Sequence, residues 1–199
     1  MSAHQWWQAQ AQQTAFRALL DGFARPGTWV RPADSHVDPL LMFMSTLLDE
    51  SVSLADPGCL LDADQRRLLL APSAPVEQAR FVLLDGRQAP DAGLAPALGT
   101  LESPEFGATL VLCIDYFSER PVEGAADGAA DSAGTTRLQL QGPGVPGRRE
   151  LFVGGLHAGW LARRAAWVAD FPLGLDLVLV TKQALVALPR TTRIEIQGD

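Results

Sequence analysis

The run Ala108 to Ile114 (ATLVLCI) is apolar along its length apart from one hydroxyl, with no alternation of polar and apolar positions. A strand of that kind is buried on both faces, so it reads as the centre of a sheet with structure packed on each side. Helical patterns near both ends of the chain supply cover. Trp7, Ala11, Ala15, Ala18, and Leu19 or Gly22 recur at helical spacing, widened by Phe16, Leu20 and Phe23. They predict a helix over Trp6–Phe23, stopped by Pro26-Gly27. Pro39–Leu48 is apolar almost all round, with Asp38 placed to cap it and proline at its first position. Leu60–Arg67 reads as a short helix with Leu68–Leu70 as its tail or a brief strand, and Leu156–Val168 as an amphipathic helix.

Shorter strand signals fall at Thr28–Val30, Ser51–Ala55, Ala79–Leu84, Arg137–Leu140, Glu150–Val153 and Thr192–Ile196. Early and late helices around a strand-rich middle predict a single α/β domain over residues 1–199, a mixed sheet flanked by helices. Residues 85–107, rich in Gly and Pro, read as a long loop. The acidic, low-complexity stretch Ser118–Gly134 (the 118–134 loop) cannot offset its ordering entropy by burial and reads as a mobile surface loop.

Composition narrows the function classes. The 199 residues are 47 % hydrophobic and 20 % charged, enough for a sizeable core without staples. A net charge of −7 repels a phosphate backbone, so no nucleic acid is expected as partner. No apolar run approaches the roughly 18 residues of a membrane helix, and MSAHQWWQAQAQQ lacks the pattern of a secretion signal. The expectation is a cytoplasmic protein with no membrane partner. Cys59 and Cys113 make neither a disulfide framework nor a metal site, so no metal is expected. His4, His36 and His157 stand apart, no GxSxG is present, and Cys113 reads as a core thiol. No catalytic residue emerges.

Two places could hold an anion or a partner. Gly154 and Gly155 precede the helix expected from Leu156, where free amides could hold an anion or the glycines could simply turn the chain. The multiple turn Gly142–Gly147 has no phosphate-loop spacing. The C-terminal hairpin, Leu175–Val180 and Ala184–Leu188 around Thr181-Lys182-Gln183, is the more informative region. A turn centred on Lys182 and Gln183 puts Asp176 opposite Pro189 or Arg190. An aspartate in so apolar a strand is costly to bury unpaired, and Arg190 is its natural counter-ion, with Thr191 and Thr192 alongside. The corner is a structural ion pair or a contact for an anion or partner subunit.

Phe171-Pro172-Leu173-Gly174-Leu175-Asp176-Leu177 with Leu188-Pro189-Arg190-Thr191-Thr192 resembles the C-terminal signature of the PhnH family, subunits of the bacterial carbon–phosphorus lyase. Phe16-Arg17-Ala18-Leu19-Leu20 leading to Pro26-Gly27, Gly107-Ala108-Thr109-Leu110, and Gly142-Pro143-Gly144-Val145 fit in the same order, covering nearly the whole chain. The 118–134 loop looks longer than the family's usual connection. The resemblance implies a fold similar to pyridoxal-phosphate-dependent transferases, a homodimer when alone, and a core complex with the G, I and J subunits. That machinery, assisted by the L subunit, displaces adenine from ATP and joins a phosphonate to the ribose. The radical J subunit later cleaves the carbon–phosphorus bond.

The residues bear on this independently. A pyridoxal enzyme needs a lysine for its Schiff base, and Lys182, the single lysine, falls in the hairpin turn. Iron–sulfur chemistry would need several cysteine ligands. No cofactor is therefore expected, which suits a non-catalytic or accessory subunit. The alternative is a stand-alone binder or enzyme for a small phosphorylated or anionic ligand, using Arg190 with Gly154 and Gly155. An apolar patch against another chain could draw on Trp6, Trp7, Trp160 and Trp167, the last two serving equally as core.

Overall fold

The computed structural model describes residues 8–120 and 135–197. In chain order the elements are α1 (Ala9–Ala24), β1 (Trp29–Val30), α2 (Pro39–Leu47), β2 (Leu54–Ala55), α3 (Ala63–Leu69), β3 (Phe81–Asp85) and β4 (Thr109–Cys113). There follow β5 (Tyr116–Ser118), β6 (Thr135–Gln141), β7 (Arg149–Gly154), α4 (Gly159–Trp167), β8 (Asp176–Val180), β9 (Leu185–Leu188) and β10 (Arg193–Gln197).

Six strands form a mixed sheet in the order β1-β9-β8-β4-β3-β2. β2, β3, β4 and β8 run parallel, while β8–β9 and β9–β1 are antiparallel. The apolar run around β4 is central, as its composition demands. Successive side chains on a strand point to opposite faces, and here they enter two different cores. Leu110, Leu112, Leu177 and Leu179 lie in one, and Val111, Val178 and Val180 in the other. All are at most 3 % exposed, each adding about 2 kcal/mol of apolar burial.

The covering layers depart from the expectation of helices on both sides. α1, α2 and α3 cover one face, with Leu19, Phe43, Met44 and Leu69 packed on Val111 and Val178. The other face carries a second, four-stranded antiparallel sheet, β10-β6-β7-β5, together with α4. The physical reason lies in the strands themselves. β6 alternates apolar and polar positions in sequence, with Leu138 and Leu140 fully buried in the shared core, Arg137 exposed, and Gln139 on the other face sheltered within the sheet at 9 % exposure. That alternation is the mark of a strand with one buried face. The final strand β10 pairs with β6, Ile194 opposite Leu140, and so belongs to this second sheet and not to the hairpin before it.

Local chemistry sets the element ends. The Asp38 carboxylate accepts from the Leu40 amide at 2.7 Å and Pro39 fills the first helical position, as expected for α2. The helix expected over Leu60–Arg67 instead spans Ala63–Leu69, because Asp62 and Gln65 form a reciprocal capping box that fixes its start. The strand expected over Ser51–Ala55 narrows to β2, since Asp49 takes the Ser51 amide at 2.8 Å and the Ser51 hydroxyl at 2.6 Å in a turn. β5, three residues at the edge of the second sheet, is an element that the sequence pattern did not signal. It absorbs Ser118, the first residue of the expected acidic loop. Residues 121–134 of that loop lie outside the described residues, as do His4, Trp6 and Trp7.

The 85–107 loop is tied to α4. Trp160 Nε1 donates to the Gln88 carbonyl at 2.8 Å, and Arg163 Nη2 donates to the carbonyls of Asp91, Ala92 and Leu94 at 2.9–3.1 Å. Trp160 is buried core, and Trp167 packs against it partly exposed. Among the described residues no helix is long and apolar enough to cross a membrane.

Both cysteines are free. Cys59 is exposed in a turn, whereas burial, reinforced by the charges of Asp85 and Asp38, pushes the Cys113 thiol up to about 11. A thiol-specific disulfide reagent at mildly alkaline pH is expected to label Cys59 in the native protein and Cys113 only after denaturation. Prompt labelling of Cys113 in the native protein would show that the face under α2 opens.

Candidate functional site

The residues singled out at the C-terminal hairpin meet at the amino-terminal edge of β4 and β8. β8 starts at Asp176, beside Thr109 of β4. The hairpin register runs from Leu177 opposite Leu188 to Val180 opposite Leu185, which brings Asp176 to Pro189 and Arg190. Asp176 Oδ1 accepts from the Arg190 amide at 2.8 Å and from its Nε at 3.5 Å, and Oδ2 lies 3.4 Å from Nη2. Arg190 Nη1 donates to the carbonyls of Pro104 at 2.7 Å and Pro172 at 3.4 Å. The two side chains are only 14 % and 26 % exposed for Arg190 and Asp176.

Gly107 lets this happen. A β-carbon there would overlap the Gly174 carbonyl and lie 2.9 and 3.0 Å from the two terminal nitrogens of Arg190. From α4, the buried Arg164 donates through Nη2 to the carbonyls of Pro189 at 2.8 Å and Thr192 at 3.0 Å. Burial pulls the Arg164 guanidinium down to about 10, with Asp176 opposing, so it is still a cation at neutral pH. Thr192 is 1 % exposed; its hydroxyl and Arg164 Nε have no hydrogen-bond partner among the described residues. Thr191 is exposed, with its carbonyl against Gly142.

The structure thus brings Asp176, Arg190, Thr191 and Thr192 together. One carboxylate and two guanidiniums there hold the segments around 104–107, 172–176 and 189–192 in a single arrangement. Gly154 and Gly155 are elsewhere. Asp115, which donates its amide to the Gly154 carbonyl at 3.1 Å, is six residues beyond Thr109, which pairs with Asp176. At about 3.3 Å per strand residue this is the opposite end of the sheet, about 20 Å away. α4 starts at Gly159, so the two glycines do not open a helix. The position of a Gly155 β-carbon is taken by the Asp115 carboxylate, and that of Gly154 by the Tyr116 ring.

Other expected residues separate as well. Lys182 is exposed in the hairpin turn, where the Thr181 amide donates to the Ala184 carbonyl. His36 is exposed, and His157 Nδ1 accepts from the Gly159 amide at 3.1 Å, a capping contact. Two groupings were missed. Arg87 chelates Asp85 at 2.7 and 2.9 Å and reaches Asp115 at 3.7 Å, and its hydrogen bond holds the Asp85 carboxyl below the usual range. Arg31, Arg148 and Arg149 line a cleft between the two sheets. Fifteen arginines scattered along one chain gave no signal for either.

Residues 3–195 match the family described as bacterial phosphonate metabolism protein (PhnH). The chain belongs to the PhnH family. It is 43 % identical over 192 residues to HtxG of Stutzerimonas stutzeri, described as a candidate C-P lyase subunit, covering 96 % of this chain and 90 % of that one. It is 29 % identical over 194 residues to PhnH of Rhizobium meliloti (strain 1021), the subunit of α-D-ribose 1-methylphosphonate 5-triphosphate synthase, with 92 % and 90 % covered. The hairpin segments that carry the resemblance to PhnH are those that build the Asp176–Arg190 corner.

Proposed function

We propose that the chain is a non-catalytic or accessory subunit of a carbon–phosphorus lyase core complex, needed when a phosphonate is transferred to the ribose of ATP with release of adenine. In this reading it works in the cytoplasm, is a homodimer when alone, and joins the G, I and J subunits without a cofactor. Its fold is related to the pyridoxal-phosphate-dependent transferases, but its lysine stands at a surface turn.

The observation that carries the reading is an apolar surface around the arginine corner. Phe106, Phe171 and Leu101 are 58 %, 67 % and 76 % exposed. Phe106 lies two residues after Pro104 and Phe171 directly before Pro172, and the carbonyls of both prolines are bound by Arg190 Nη1. Arg80 adds a second tie, bonding the Glu105 carbonyl at 2.6 Å with its guanidinium over the Phe106 ring. Large apolar side chains held on a rigid frame suit a subunit contact. Asp176, Arg190, Thr191 and Thr192 are then the frame of that contact. The alternative, a stand-alone binder of a small phosphorylated ligand, draws support from the arginine cleft, since the Arg190 guanidinium is already engaged.

Co-expression with the G, I and J subunits, capture of the tagged chain and mass by light scattering test the proposal. A stoichiometric assembly is expected, and a Phe106→Asp, Phe171→Asp variant should fold yet drop out of it. Recovery of the wild-type chain as a bare dimer or monomer overturns it.

A further inference from the structure

A cleft of about 650 Å³ opens between β1, on the edge of the six-stranded sheet, and the turn into β7 of the second sheet. We propose that it binds a di- or triphosphate group, inorganic or ester-linked, through Arg31, Arg148 and Arg149. The inference is independent of the assembly reading above.

The cleft is built around one anchored arginine. Arg149 Nη1 donates to the Thr28 hydroxyl at 2.7 Å and to the Pro26 carbonyl at 3.1 Å. Gly27, in the left-handed region at φ +83°, makes room for it: a β-carbon would lie 2.8 Å from Arg149 Cδ. This holds the side chain while its Nε and Nη2 have no hydrogen-bond partner among the described residues. Thr28, accepting from Arg149, retains its own hydroxyl proton to donate.

Arg31 and Arg148 flank it, both exposed. Arg31 stacks over the Trp29 ring at 4.7 Å, and the ring is braced edge-on by Phe117 at 4.9 Å. Neither Arg31 nor Arg148 has an ion pair or hydrogen bond among the described residues. Two carboxylates also line the cleft. Glu150 is taken up by Arg137 at 2.6 Å on the neighbouring strand. Among the described residues only Glu119, exposed, is left against three guanidiniums.

In a chain of net charge −7, three guanidiniums lining one cleft, with a single uncommitted carboxylate among the described residues, form a local positive site. The planar guanidinium fork matches pairs of phosphate oxygens, and three forks suit several linked phosphates better than one carboxylate. The volume is within the range of small-molecule sites, and Trp29 lines the cleft beside the arginines.

Calorimetric titration of the purified chain with inorganic tripolyphosphate and, separately, ATP tests this at low and physiological salt. Saturable binding that weakens with salt is expected, reduced about 10-fold or more in an Arg31→Ala, Arg148→Ala variant. Both positions are exposed, so the variant's melting temperature should match the wild type. Equal affinity for the two probes assigns the site to the phosphates alone, and tighter ATP binding assigns part of the cleft to a nucleoside. Absence of binding at millimolar tripolyphosphate overturns the proposal, as does unchanged affinity in the variant. If the variant loses assembly with partner subunits while tripolyphosphate never binds, the proposal falls and the arginines belong to a protein contact.

Discussion

Arg190→Ala is expected to cost about 3 kcal/mol of stability, read as a lower midpoint in urea. The figure follows from what is left behind. Asp176 loses its ion-pair partner while only 26 % exposed, and the carbonyls of Pro104 and Pro172 lose a charged donor. Removing one member of a sheltered pair is worse than removing both, because the survivor keeps its desolvation cost without compensation. The double variant Arg190→Ala, Asp176→Ala should therefore lose clearly less than the two single losses added together. A loss below about 1 kcal/mol would mean that the pair is exchangeable with water and contributes little to folding. If such a stable variant failed to assemble, Arg190 would belong to the subunit contact.

Gly107→Ala should be at least as damaging, about 3 kcal/mol or more. Its β-carbon would be driven into the Gly174 carbonyl and against the Arg190 guanidinium. Neither can retreat easily. The Gly174 amide is bound to the Leu98 carbonyl at 2.9 Å, and two residues on the Asp176 amide is bound to the Ala108 carbonyl at 3.1 Å. Gly147→Ala is the matched comparison. Gly147 is also in a turn, at φ +66°, but a β-carbon there meets nothing within 4 Å. It should cost only the backbone strain of an L-residue, about 1 kcal/mol. If the two variants melt together, the corner relaxes around a methyl group and is not a rigid frame.

Much of this corner was legible from residue types alone. An aspartate in Leu175–Leu179 had to find a cation, and counting across a turn at Lys182 and Gln183 led to Arg190. What counting could not reach was Arg164, which arrives from α4 to hold Pro189 and Thr192, or Gly107, whose missing side chain matters only because another loop crosses it. Those are contacts between segments 25 to 83 residues apart in the chain, set by how the layers stack. The second sheet is an intermediate case. The alternation Arg137-Leu138-Gln139-Leu140-Gln141 carried the signal of a strand with one covered face, but nothing local said that its partner would be the last strand of the chain.

The arginine cleft lies at the far limit. Arg31 and Arg148-Arg149 are more than a hundred residues apart, in a chain where arginine is the ordinary basic residue. By itself the sequence determined the identity of most elements, the central position of β4, the hairpin and its ion pair, because periodicity, capping and turn chemistry act over a few residues. Only the tertiary structure decided which layer covers which face, where Gly154 and Gly155 lie relative to Arg190, and which arginines converge. Those depend on packing between distant segments, where burial rewards any pairing that fills space and local pattern does not distinguish among them.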